Sequence, residues 1–198
     1  KEIDFERLKT LQPDLIICEK EENTQEMVAE LEKHYPVLIT DVTDVESAME
    51  MIGMLGKATN CDTKAEEILA EIRKSWKTPP KVAGEKSVAY FIWRKPWMVA
   101  GANTYIHSVL EKLGLNNLAA PMQGRYPELS PKLTALNNPE WIFLSSEPYP
   151  FAEKHIAEIQ EYFPDAKIQL VDGEMFSWYG SRMLNVPEYL RELCRIME

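Results

Sequence analysis

The chain has 198 residues, with 32 Asp and Glu against 22 Lys and Arg, a net charge of -10. That acidic balance argues against a nucleic-acid binder, whose affinity rests on cations meeting phosphate. Apolar residues make up 45% and aromatic residues 10% of the chain, enough for packed cores, yet no apolar run approaches the roughly 20 residues of a membrane-crossing helix.

In chain order, Asp4–Leu11 reads as a short helix ended by Pro13. Asp14–Cys18 (DLIIC) is a short apolar run bounded by turn residues, the pattern of a buried parallel strand. Asn23–His34 is helical, with Asn23 or Thr24 as cap and Met27, Val28 and Leu31 inward. Val37–Thr40 is a second strand. Thr43 or Asp44 caps a helix with Ala48, Met51, Ile52 and Leu55 on one side, and Gly56 is its expected stop. Cys61–Pro80 reads as one long amphipathic helix. Thr63 and Glu66 fit a capping box, Ala65, Ile68, Leu69, Ile72 and Trp76 form its apolar stripe, and Pro79–Pro80 end it. Similar α/β patterns lie on both sides, so it is expected to connect two lobes: residues 1–60 and residues 81–198.

The second lobe opens with Ser87–Trp93 (SVAYFIW), the strongest strand pattern in the chain. Thr104–Leu113 is a helix stopped by Gly114. Leu118–Leu129, with Pro121, Gly124 and Pro127, is an aperiodic loop. Ser130–Leu136 is a short helix, Trp141–Leu144 a strand, Glu153–Phe163 a helix and Ile168–Val171 a strand. A final helix is expected from about Ser181 to Met197, with Leu184, Leu190, Leu193 and Met197 inward. Strands alternating with helices define an α/β fold with mostly parallel sheets flanked by helices. Two short strands make a poor sheet, so the first lobe reads as incomplete.

Loops after the second-lobe strands hold the candidate binding residues, because ligands of open parallel sheets lie at the carboxyl ends of the strands. These loops are Trp93–Gly101, Ser145–Phe151 and Asp172–Arg182, joined by Gly124–Tyr126. They carry Trp93, Trp97, Tyr126, Tyr149, Phe151, Phe176, Trp178 and Tyr179, with Arg94, Arg125 and Arg182. Aromatics this dense in surface loops point to a site for a flat or bulky apolar ligand. The arginines suit carboxylate or phosphate.

Signs of catalysis are sparse. Glu128, Glu147, Asp172 and Glu174 offer carboxylates for acid–base work, which keeps a glycosidase-like enzyme as the rival reading. His34, His107 and His155 fall on helices without a partner at metal-ligand spacing and read as surface or helix-end residues. Cys18, Cys61 and Cys194 are few, distant and without a CxxC pair; Cys18 and Cys194 read as small buried apolar residues. No phosphate-cradling loop and no GxSxG motif occurs. A binder without cofactor or metal is expected rather than an enzyme.

Several stretches resemble one family: LKTLQPDLIICEKEENTQEMVAEL, the helix after Asp44, the long connector, and the run from SVAYFIW through WMVAG to NPEWIFLSSEPYPF. The chain is similar throughout to the helical-backbone (class III) solute-binding proteins of ABC importers, which include cobalamin-binding proteins and ferric-siderophore receptors. The resemblance implies two lobes joined by one rigid helix, ligand held between them, export to the periplasm or to a lipid anchor, and docking of a monomer on a membrane permease. Within that family a corrinoid such as cobalamin is the expected ligand, because the loops are aromatic and not strongly basic; ferric siderophore or haem is the alternative, since Arg94, Arg125 and Arg182 suit an anionic chelate. Trp93, Trp97, Arg125, Tyr126, Tyr149, Phe151, Phe176, Trp178, Tyr179 and Arg182 are then the ligand-binding candidates. Family members carry a further strand and helix before the point matching Lys1, which agrees with an incomplete first lobe. They also place one glutamate on each lobe for the permease. Glu6 fits the first, whereas the second position, after Ser130–Pro131, holds Lys132, with Glu128 close by as a substitute carboxylate.

Overall fold

Short polar side chains start the helices of the smaller part of the fold. In this computed structural model, which describes residues 3–129, 133 and 135–198, the chain forms two compact units, Lys1–Val42 and Thr43–Glu198. In the first unit Asp4 accepts from Arg7 N at 2.9 Å and caps α1 (Phe5–Leu11). Gln12, with φ of 46°, closes it in the left-handed region. β1 (Ile16–Glu19) follows, then α2 (Gln25–Glu32), capped by Thr24, and β2 (Val37–Thr40). The strands are parallel, Ile16 opposite Val37 and Glu19 opposite Thr40. Cys18, Val28 and Leu31 form the core, with Phe5, Leu8, Ile16, Tyr35 and Val37 packed against them. Cys18 thus behaves as a small buried apolar residue.

The second unit opens with α3 (Val45–Ala58) and α4 (Asp62–Ser75). Asp44 and Ser47 make a reciprocal capping box at α3. Gly56 does not stop this helix. It lies buried within it, where a Cβ would come 2.4 Å from that of Ala65, so α3 and α4 touch at a Gly–Ala contact. The stripe expected on α4 is present, with Ala65, Leu69, Ile72 and Trp76 buried. Its ends differ from expectation. The helix begins at Asp62, so Thr63 lies inside the first turn and no side chain caps it. It ends at Ser75, well before the prolines, because Trp76 turns into the core and its Nε1 donates to Met183 O at 2.9 Å. The compact units divide after Val42. α3 and α4 pair with each other and pack on other parts of the second unit.

The main sheet comprises β3 (Lys86–Trp93), β4 (Trp97–Val99), β5 (Leu115–Asn117), β6 (Glu128–Leu129), β7 (Trp141–Ser145) and β8 (Lys167–Val171). Its order is β6-β4-β3-β7-β8, with β5 also on β3. β3, β5, β7 and β8 are parallel neighbours, and β4 and β6 add antiparallel pairs. Val88–Phe91 are fully buried, as a strand covered on both faces must be. Helices α5 (Tyr105–Lys112), α6 (Lys154–Gln160), α7 (Glu174–Ser177) and α8 (Val186–Met197) flank this sheet, and a 3-10 turn at Ser181–Leu184 precedes α8. The single last helix expected from Ser181 is therefore two pieces: Pro187 sits in the first turn of α8 and has no amide to continue the earlier turn. The helix expected over 130–136 falls largely outside the described residues. The fold is α/β, with sheets flanked by helices.

Candidate ligand-binding site

Register aligns the carboxyl ends of three parallel strands. Phe91 lies opposite Leu144, and Ser145 opposite Val171, so the chain leaves β3, β7 and β8 along one edge of the sheet. Beneath the loops, the Tyr90 hydroxyl donates to Ser145 Oγ at 3.1 Å. Burial pushes the Tyr90 pKa up, which keeps this phenol a donor. Ser145 Oγ in turn donates to Glu147 O at 2.5 Å. Gly173 allows the loops after β7 and β8 to meet, since a Cβ there would come 2.5 Å from both Ser145 Oγ and Glu147 Cγ. Gly173 N donates to Ser146 Oγ at 2.9 Å. Ser177 Oγ lies 2.8 Å from Glu147 Oε1 and equally far from Gly173 O. Asp172 Oδ1 accepts from Glu174 N at 3.0 Å, and Asp172 N donates to the Tyr189 hydroxyl at 2.9 Å. Of the carboxylates of the enzyme reading, Glu147 therefore ties two loops together, and that of Asp172 caps the turn into Glu174 within its own loop.

The ten expected ligand residues separate by burial. Trp97, Phe151 and Phe176 are 8%, 6% and 0% exposed, which corrects their placement on an open surface. Trp97 stacks on Phe151 with centroids 6.2 Å apart and planes 6° apart, and meets Phe91 edge-on. Phe176 is wedged among Tyr90, Phe143 and Tyr189. The transfer of these large rings from water outweighs the loop position that their sequence spacing suggested. They support the loops from behind.

Trp93 and Trp178 are the outward rings, 39% and 51% exposed. Trp93 meets the half-buried Tyr149 edge-on at 5.7 Å. Arg182 pairs with Glu174 and lies 5.6 Å over the Trp178 ring, a cation–π contact. Tyr179 packs edge-on against Tyr105. Arg125 and Tyr126 are half-buried in the 124–127 segment, engaged by neighbours, and Gly101 N donates to Arg125 O at 2.7 Å. Arg94 is bound by both Glu158 oxygens at 2.8 and 3.0 Å. Of the permease-docking candidates, Glu6 is exposed beside Lys9, Glu128 is exposed on β6, and Lys132 lies outside the described residues.

Sequence reasoning missed His155. It is 4% exposed, not a surface residue. Its Nδ1 accepts from Ala152 N at 2.9 Å, and its Nε2 lies 3.2 Å from the Tyr149 hydroxyl. The available signal was its place in the first turn of α6, four residues after the aromatic PYPF segment. Among the described residues, no group of three His, Cys, Asp or Glu side chains is placed to hold a metal ion, and no helix is long and apolar enough to cross a membrane.

Parallel strands that end in aromatic loops place the candidate site at the carboxyl edge of the main sheet. A family model described as periplasmic binding protein matches residues 1–165, and the chain belongs to that family. Among solved structures, the periplasmic vitamin B12 binding protein BtuF of Vibrio cholerae is 17% identical over 100% of this chain and 80% of its own, with a TM-score of 0.75. The periplasmic heme-binding protein BhuT, in complex with two hemes, is 21% identical over 100% of this chain and 79% of its own, with a TM-score of 0.79. A possible iron-binding periplasmic protein from Staphylococcus epidermidis is 20% identical over 98% and 80%, with a TM-score of 0.70. At these identities the likeness is one of fold. No curated protein sequence matches the chain.

Proposed function

We propose that this chain is the extracytoplasmic, non-enzymatic binding component of an ABC importer. In this reading it takes cobalamin or a related corrinoid on the loops at the carboxyl edge of its main sheet, and docks as a monomer on a membrane permease through Glu6 and Glu128. The observation that carries the choice of ligand is the pairing of exposed aromatic faces with cations already neutralised. Trp93 and Trp178 face outward, while Arg94 is bound by Glu158 and Arg182 by Glu174. An anionic chelate needs cations to spare; a corrinoid offers a broad face to an indole. An iron chelate or haem is the second reading, favoured by the fold match to a heme-binding protein.

Tryptophan-fluorescence titration with a corrinoid, a ferric siderophore and haem, corrected for ligand absorption, separates these readings. Saturable quenching by the corrinoid at micromolar concentration or below is expected. Trp178→Ala and Trp93→Ala should each weaken binding by about 2 kcal/mol, roughly 30-fold. Unchanged affinity in both variants would remove these rings from the site, and preference for haem would transfer the proposal to the second reading.

A further inference from the structure

His155 sits behind the outward aromatic surface and faces the group that sets its shape. Because Nδ1 accepts from Ala152 N, that nitrogen carries no proton, and the proton of the neutral ring is on Nε2, pointing at the Tyr149 oxygen. Tyr149 is anchored by its backbone as well as by its ring. Its backbone N donates to Ile92 O at 3.3 Å, fixing the loop on β3. Its ring meets Phe151 at 4.8 Å on one side and Trp93 at 5.7 Å on another. The buried imidazole, with Arg94 as a second partner, thus holds the hydroxyl of the ring against which an outward indole rests.

We infer that His155 is a positioning residue for the Trp93 surface: neutral, it is fixed by Ala152 N and holds Tyr149 and through it the indole; protonated, it is pushed off Ala152 N and the alignment of Tyr149 and the indole is lost with the ring's position. The geometry makes the two states exclusive. A proton on Nδ1 would set one donor against another at Ala152 N inside a buried site, so the ring would turn away from Ala152 and carry its Nε2–H off the line to the Tyr149 hydroxyl. Around the ring stand Lys154 and Glu158 from α6, Arg94 from the β3–β4 turn, and Tyr149 from the loop after β7. The only carboxylate of this set, Glu158, is held by Arg94. Burial first, then Lys154 and Arg94, keep the imidazole pKa below its ordinary 6.5. The sign follows from linkage. The fold favours the neutral ring, so its contribution is complete above the unfolded pKa and is lost as pH falls through the lower folded pKa. The local geometry stands alone; its consequence for ligand capture rests on the proposed function.

Two-dimensional NMR of the ligand-free protein from pH 8 to 5 tests the geometry. The Trp93 indole N–H signal should move with the midpoint of the His155 imidazole, below 6.5. In Tyr149→Phe the imidazole should still titrate while the indole no longer follows. In His155→Gln, whose amide can reach the hydroxyl without titrating, the indole signal should stay fixed. An indole that ignores the His155 midpoint in the native chain, or that moves equally in His155→Gln, overturns the proposal. Corrinoid titrations at pH 7.5 and 5.5, with folding followed by circular dichroism, test the consequence. About tenfold weaker binding at the lower pH is expected for the native chain, and none of that loss for His155→Gln. Equal affinity at both pH values overturns the link to capture. Absence of corrinoid binding at either pH refutes the proposed ligand, and the NMR titration still decides the role of His155.

Discussion

Gly56 sets two effects against each other. Alanine is the better helix former by about 1 kcal/mol, so an exposed Gly56→Ala would stabilise α3. Here the new methyl would meet the Ala65 Cβ at 2.4 Å, and backbone on both helices would have to separate. Overpacking of this kind costs about 1–3 kcal/mol and outweighs the gain. Gly56→Ala should therefore lower the urea midpoint with little change in slope; a raised midpoint would mean that α3 and α4 are free to part. Sequence alone could not see this, because a glycine near a helix end reads as a stop. The same limit applies to Phe176 and Trp178. They stand two residues apart in one short loop and look alike in sequence. The single turn of α7 sends Phe176 into the core among three other rings and leaves Trp178 outside. His155 was illegible for a related reason, since its partners Ala152 and Tyr149 meet it only when the loop closes onto α6.

At the scale of elements, β1, β2, β3, β7 and β8 were legible because each is an apolar run bounded by turn residues. β4, β5 and β6 were not, since strands of two or three residues carry no period and exist only through pairing. The helical stripes were legible and several of the ends were not. α4 is the clearest case, as its end is set by a tertiary contact: the Trp76 indole reaches the carbonyl of Met183. That hydrogen bond joins α4 to the Ser181–Leu184 turn. Trp76→Phe would keep most of the apolar contact and leave the buried carbonyl without its partner, at a cost of about 1–3 kcal/mol. Thermal unfolding should show the loss, and an unchanged melting temperature would mean that the carbonyl finds another donor.

At the scale of the molecule, the α/β class and the family were both readable from the alternation of strands and helices and from short stretches such as PDLII and NPEWIF. The pairing of α3 with α4 is decided by packing across Gly56 and Ala65 rather than by any change in composition. The arrangement of β3 has a further consequence. On one edge it is shared, by β5 at Lys86–Val88 and by β4 at Phe91–Trp93, while β7 lines the other edge at Val88–Phe91. Both rows of its backbone groups are therefore occupied and its centre is sealed from water. In deuterated solvent the amides of Val88–Phe91 should be the last to exchange, surrendering their protons only in global unfolding, whereas those of the two-stranded β1–β2 sheet should exchange earlier through local opening. Earlier exchange in β3 than in β1 would place the centre of cooperativity elsewhere. If the order holds, the strand that carries Trp93 at its tip is the most persistent part of the chain, and a ligand resting on that indole would be held by the last piece of backbone to let go.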